Sequence, residues 1–201
     1  MSDRPKTLMQ MAGADLTPAA LSAAALIVVD AQRVYSDGPL VLTGVAPAAE
    51  EIAGLLKRAR AAGTPIVHVR HVGPDGSPFG KDGNGFKYMA QAEPQTGEAE
   101  VEKTLPNSFA GTNLDDILKE IGRKKLIITG FMSHMCISAT ARSALDHGYG
   151  ATVVASAVAT RPLPSATGDG TVAAEVVHEV AMTELSDRFA IIAKTASDIP
   201  D

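Results

Sequence analysis

A chain of 201 residues with 45% hydrophobic side chains is long enough to bury about 70% of the surface its unfolded form exposes, so one core in one domain suffices. A net charge of −5 with scattered Lys and Arg offers no basic face, and 4% aromatics without tryptophan offer no stacking platform, which together exclude nucleic acid as a partner. The single cysteine, Cys136, cannot close an internal disulfide. The opening Met1-Ser-Asp-Arg-Pro lacks the basic-then-apolar order of a secretory signal. The longest apolar run near it, residues 18–29, is interrupted by Ser22 and ends at Asp30, short of the roughly 20 residues that span a bilayer. These readings predict a soluble, cytoplasmic protein with no membrane partner. Residues 1–15, polar and Met-rich, are expected to form a loose arm ahead of a folded domain over 16–201.

Along the chain, β-branched apolar runs alternate with helical patterns, the signature of a doubly wound, mostly parallel α/β sheet with helices on both faces. About six strands are expected, at 25–30, 65–70, 100–103, 125–129, 151–156 and 189–193. The first helix, 47–60, sets Ile52, Leu55, Leu56 and Ala59 on one face and is ended by Gly63 and Pro65. Thr112 is read as the cap of the next helix, with Asp115 completing a weak capping box and Leu114, Ile117, Leu118 and Ile121 facing inward. Two more helices are expected at 136–147 and 171–186. The segment 73–98, rich in Gly and Pro, forbids long regular structure. A loop of that length in a compact domain is functional or disordered, and it is read as a lid with Phe79, Phe86 and Tyr88 as its apolar contacts. The second loop, 159–170, is read as the opposite rim.

Three residues with complementary chemistry fall at the ends of strand-like runs. Asp30 closes Ala25-Leu-Ile-Val-Val-Asp30, Lys103 stands in Val101-Glu-Lys103-Thr, and Cys136 follows Leu126-Ile-Ile-Thr-Gly130 by a short loop. All three belong at the carboxyl edge of a parallel sheet, where open α/β folds build their sites. Taken singly each has a plain reading: a small buried thiol, a strand-ending acid, a solvated lysine. Taken together they make a set in which a carboxylate held ionised by lysine can accept a thiol proton and return it to a leaving amine. The position of Cys136 near a helix start, with Lys103 nearby, predicts a stabilised thiolate.

Four blocks, Val28-Val-Asp30-Ala-Gln32, Val101-Glu-Lys103-Thr, Phe109-Ala-Gly-Thr112-Asn-Leu114 and Gly130-Phe-Met-Ser-His-Met-Cys136, resemble the isochorismatase-like cysteine hydrolases in order and spacing over most of the chain. The resemblance implies an isochorismatase-like, Rossmann-like hydrolase domain over 16–201. It implies Asp30 as general base, Lys103 as its charge partner and Cys136 as nucleophile. It also implies a cis peptide at Phe131–Met132, with the amides of Met132 and Cys136 as oxyanion donors. The reaction implied is cleavage of a C–N bond in a small-molecule amide through a thioester, with no cofactor. Gln32, Tyr35, Phe109, Phe131 and His134 are candidate substrate-binding residues by their places beside the matched blocks. Two other readings stay open: a vinyl-ether hydrolase of the isochorismatase type, which needs the Asp30 acid but no thiol, and a non-catalytic binding or assembly member. The resemblance and the Ala-rich helices also imply a homo-oligomer, a dimer or tetramer.

His68 and His71 lie three apart on one strand and point to opposite faces, so no metal site is expected. His134 is placed either against substrate or under the turn, and His147 and His178 read as ordinary helix residues. Gly168-Asp-Gly170-Thr-Val-Ala173 fits a dinucleotide fingerprint by letter, but Pro162-Leu-Pro164 stands where its strand must be. Gly80-Lys81 lacks the upstream glycine and following hydroxyl of a phosphate loop.

Overall fold

The computed structural model describes residues 4–201. Helix α1 (Leu8–Met11) is followed by β1 (Ala24–Val29), α2 (Val45–Ala62), β2 (Ile66–His71), β3 (Ala99–Lys103), α3 (Leu114–Ile121) and β4 (Lys125–Phe131). A π-helical turn (Ser133–Ile137) then leads into α4 (Ser138–Asp146), β5 (Gly150–Ala159), a two-stranded hairpin of β6 (Leu163–Pro164) and β7 (Thr171–Val172), α5 (Ala174–Arg188) and β8 (Ala190–Ala193). Six strands form one parallel sheet in the order β3-β2-β1-β4-β5-β8. The order reverses between β1 and β4, which makes the crevice at their carboxyl ends the switch point of the fold. No helix among the described residues is long and apolar enough to cross a membrane.

The sheet is covered on both faces, which is why β1 is buried at every residue and reads as a continuous apolar run. Leu26 and Val28 pack with Ile52, Leu55 and Leu56 of α2. Ala25, Ile27 and Val29 point the other way, onto Leu114 and Leu118 of α3, Ala141 of α4 and Leu185 of α5. Each fully buried Leu or Ile contributes roughly 1.5–3 kcal/mol through removal of apolar surface from water. Helix α2 ends where Gly63 adopts φ 67°, its amide donating to Ala59 and Arg60, the left-handed cap that glycine takes without steric cost.

Several boundaries differ from the sequence reading. Helix α3 starts at Leu114 with Asn113 at the cap and no side-chain cap bond. Thr112 stands one residue further out, donating to Ser108 O at 2.6 Å and accepting from Leu114 N at 3.2 Å. Asp115 is drawn to Tyr149 and Lys119 instead of a capping box. Helix α5 begins at Ala174 because Thr171 and Val172 pair with Leu163 and Pro164. Within 1–15, residues 1–3 lie outside the described residues. Thr7 and Gln10 cap α1 reciprocally, and Leu8 N donates to Asp187 on α5 at 2.8 Å.

The segment 73–98 carries only short 3₁₀ turns, Asn84–Phe86 and Ala90–Ala92, and is stitched to the end of β1. Lys87 O accepts from Arg33 N and Ala31 O from Met89 N, each at 2.9 Å. Its trailing end is anchored by Glu98, which accepts from Arg60, His68 and the Gln95 amide. Phe79 lies edge-on to Tyr35 and His71. Phe86 and Tyr88 turn away to hold the Arg70 guanidinium against their rings, so of the three expected contacts only Phe79 faces the switch point.

Candidate active site

Asp30 follows the last residue of β1 with φ 51°, a left-handed conformation that aspartate tolerates better than branched side chains. Its amide donates to Val69 O at 2.7 Å, and its carbonyl accepts from Gln32 N at 2.7 Å. The turn drives a fully buried carboxylate into the crevice. Beside it, β4 passes so close that a Cβ on Gly130, at φ 112°, would stand 1.9 Å from Val29 O. Only glycine fits there.

Lys103 ends β3, two strands from β1, and its register partner on β2 is His71. The long side chain crosses the end of β2 and is buried throughout. Its Nζ donates to Asp30 Oδ2 at 2.7 Å and to Cys136 Sγ at 3.3 Å, and lies 3.4 Å from His71 Nδ1. Asp30 Oδ1 has no conventional hydrogen-bond partner, while the Cys136 thiol acts on the same carboxylate. Asp30, Lys103 and Cys136 are thus brought together in a nearly sealed site.

The electrostatics correct one sequence expectation. Burial, and after it the Asp30 charge, pushes the Cys136 thiol up to about 12, outweighing the ammonium of Lys103. The thiol is therefore neutral at rest. The positive end of a helix and one lysine do not offset desolvation on a side chain that is 6% exposed. Burial likewise raises Asp30, against the opposing pull of Lys103, so its carboxylate is the more basic acceptor.

The nucleophile turn is fixed from two sides. The π-helical turn closes with Met132 O accepting from Met135 N at 3.1 Å and Ile137 N at 3.2 Å, and the Phe131–Met132 peptide is cis. Ser133 Oγ bonds His178 Nδ1 on α5 at 2.8 Å, and His134 Nδ1 bonds Thr160 Oγ1 past β5 at 2.7 Å. His178 is therefore more than an ordinary helix residue.

Of the five pocket candidates, Tyr35 and Phe131 form a buried aromatic wall, their rings 5.9 Å apart. His134 sits half-buried against Thr160 beside this wall. Gln32 is elsewhere engaged: its amide donates to His71 O at 3.0 Å and Phe86 O at 3.1 Å and accepts from His71 N at 2.8 Å. It is a clamp between β1, β2 and the 73–98 loop, with nothing left for a substrate. Phe109 stacks on His147 at 4.6 Å and on Tyr149, at the far end of α4 from Cys136. Its side chain belongs to the core. His71 was not singled out for this site, although its place opposite Lys103 in a parallel pair puts both on one face. Its neighbour His68 points away, to Glu98 Oε2 at 2.8 Å. Among the described residues no three His, Cys, Asp or Glu side chains group as metal ligands.

Comparison with known proteins gives a consistent picture. Residues 24–197 match the model of the isochorismatase domain. The chain is 37% identical over 180 residues to the secreted isochorismatase effector Isc1 of Verticillium dahliae, covering 89% of this chain and 92% of that one. It is 34% identical over 154 residues to maleamate amidohydrolase of Pseudomonas putida, covering 68% and 72%. The crystal structure of an isochorismatase from Pseudomonas putida KT2440 superposes with a TM-score of 0.93 at 41% identity, covering 98% of this chain and all of that one.

Proposed function

The chain belongs to the isochorismatase family of hydrolases, and within it we propose a cysteine hydrolase that cleaves the C–N bond of a small amide through a thioester on Cys136. The observation that carries this reading is the single Lys103 ammonium, 2.7 Å from the Asp30 carboxylate and 3.3 Å from the Cys136 sulfur in a water-poor site. The matched amidohydrolase of Pseudomonas putida supports the choice of a C–N bond.

In this mechanism Asp30 removes the thiol proton as Cys136 Sγ attacks the amide carbon. Because the thiol is neutral at rest, proton transfer and attack are coupled, and no standing thiolate is needed. The carbonyl oxygen becomes an oxyanion against the amides of Met132 and Cys136, which lie in the first turn of a helix where intrahelical partners are missing. Collapse breaks the C–N bond, and the amine leaves with the proton from Asp30. Water then gives a proton to Asp30 and adds to the thioester. The thiol departs with that proton and the acid is released. Lys103 keeps Asp30 ionised between steps, and the 73–98 loop acts as the lid, with Phe79 over Tyr35 and His71.

The test is ammonia release across an amide panel together with mass spectrometry of quenched protein. Cys136→Ala and Asp30→Asn should each lose on the order of 10³-fold or more in turnover if the set acts as a unit. An acyl adduct should sit on the peptide holding Cys136. A Cys136→Ala protein that still turns over its substrate would sink the thioester route and favour vinyl-ether cleavage by Asp30. Cytoplasmic location is proposed on the unpaired thiol, whereas the Verticillium relative is described as secreted; recovery of the native protein from the medium would overturn it.

A further inference from the structure

An ammonium carries three N–H donors and no acceptor, so when it is buried each donor needs a partner from the protein. For Lys103, whose side chain is fully buried, two partners belong to the reacting set: Asp30 Oδ2 at 2.7 Å and Cys136 Sγ at 3.3 Å. The third is His71 Nδ1 at 3.4 Å, on a ring to which the mechanism above gives no task. Three donors thus meet three acceptors, supplied by the end of β1, the nucleophile turn and β2.

Because an ammonium can only donate, Nδ1 must hold its lone pair toward Lys103, and the ring proton must sit on Nε2. A charged imidazole would turn an N–H against the ammonium and set two like charges side by side. Burial, and after it Lys103, hold the His71 imidazole below its ordinary value against the pull of Asp30. Those are the charges that face it, Lys103 from β3 and Asp30 from the end of β1. Cys136 on the turn is neutral, and the 73–98 loop presents the Phe79 ring at 5.0 Å. The backbone of His71 is gripped as well, its amide donating to Gln32 Oε1 at 2.8 Å and its carbonyl accepting from Gln32 Nε2 at 3.0 Å. The imidazole therefore stands on a fixed base beneath a lysine whose four-carbon stem is flexible by itself.

We infer that His71 is a positioning residue: neutral and in the Nε2–H form, it accepts the third N–H of Lys103 and so fixes the ammonium where it reaches Asp30 and Cys136 together. Its effect on rate rests on the amidase reading above. The hydrogen bond does not.

The first arm of the test needs no turnover. In protein labelled with 15N-histidine, the His71 signal is identified among the five histidines by its absence from His71→Gln. At neutral pH it should show a bare Nδ1 and a protonated Nε2. A proton on Nδ1, or a charged ring, overturns the inference. In Lys103→Met the titration midpoint of the ring should rise, because the neighbouring cation is gone, and an unmoved midpoint overturns it too. If that variant does not fold, the protonation pattern in the unaltered protein decides. The second arm measures kcat and KM for amide hydrolysis. His71→Phe keeps a ring against Phe79 and removes the acceptor. It should lower kcat by about 10- to 100-fold, the range for losing a hydrogen bond to a charged group, with KM little changed. His71→Gln, whose side-chain carbonyl can take the same N–H, should recover most of that loss. Equal rates for the two variants, or a loss that falls on KM, make the ring a packing or substrate contact and overturn the inference. If the unaltered protein hydrolyses no amide, the amidase reading fails alone, and the labelled protein still decides whether His71 holds Lys103.

Discussion

Alkylation of Cys136 by iodoacetamide should follow the pH profile of a thiol titrating near 12. The ordinary thiol value is about 9, and burial with the Asp30 charge lifts this one to about 12. Only the thiolate reacts, so at any pH below 9 its population is about 10³-fold smaller than for an unperturbed cysteine. The rate should climb about tenfold per pH unit from pH 7 to 11 without a plateau, measured by mass spectrometry against a cysteine-containing peptide. Restricted access would slow the reaction by the same factor at every pH, so the midpoint, and not the absolute rate, carries the prediction. A plateau by pH 8 would refute the reasoning and restore the stabilised thiolate expected from the helix start. The same displacement bears on stability. Between about 9 and about 12 the folded chain keeps a proton that the unfolded chain has lost. The stabilisation is therefore complete below pH 9 and is lost as pH rises toward 12, at about 1.4 kcal/mol per unit. The alkaline stability difference between the unaltered protein and Cys136→Ala should show that slope.

Gln32→Ala should destabilise the fold by about 2–4 kcal/mol in denaturant titration, since it strips partners from His71 N, His71 O and Phe86 O in a buried clamp. A change under 1 kcal/mol would return Gln32 to the list of substrate contacts. Hydrolysis should survive exhaustive chelation, because His68 and His71 face opposite ways, onto Glu98 and toward Lys103; loss of activity restored by added zinc or iron would overturn that. The proposed homo-oligomer should scatter light with the mass of two or four chains. Met135, Val176 and Val180 remain exposed on the single chain, and a mass of one chain would refute the assembly.

Most of the sheet was legible because its central strands β1 and β4 are buried on both faces, and a continuous β-branched run bounded by turns has few other fates; the edge strand β3, with Glu100 and Glu102 exposed, gives a weaker signal. The six strand positions follow from that pattern and the alternation with helices, whereas the strand order, and with it the switch point between β1 and β4, belongs to the packed sheet. Asp30, Lys103 and Cys136 were legible only as a set. Nothing local says that Lys103, on the edge strand, spans the end of β2 to reach Asp30; the length of its side chain and the parallel register allow it. That register also held the signal for His71, which shares a face with Lys103. Gln32 and Phe109 failed as pocket residues for a common reason. Adjacency in sequence to a matched block fixes where a backbone lies and leaves open which way its side chain points, and a one-residue turn after a strand is enough to send Gln32 into a clamp. The state of Cys136 was misread on magnitude. The helix start and the nearby lysine were correctly placed, but a helix terminus contributes at most about 2 kcal/mol, whereas burial of a thiolate can shift a pKa by up to about 3–5 units, or about 4–7 kcal/mol. Burial is a property of the whole core that holds the sulfur, to which β1, β2, β4, α4 and α5 contribute Val29, Val69, Ile128, Ala141 and Met182. No short stretch of chain encodes it, so the charge on the sulfur could be decided only once those elements were set against one another.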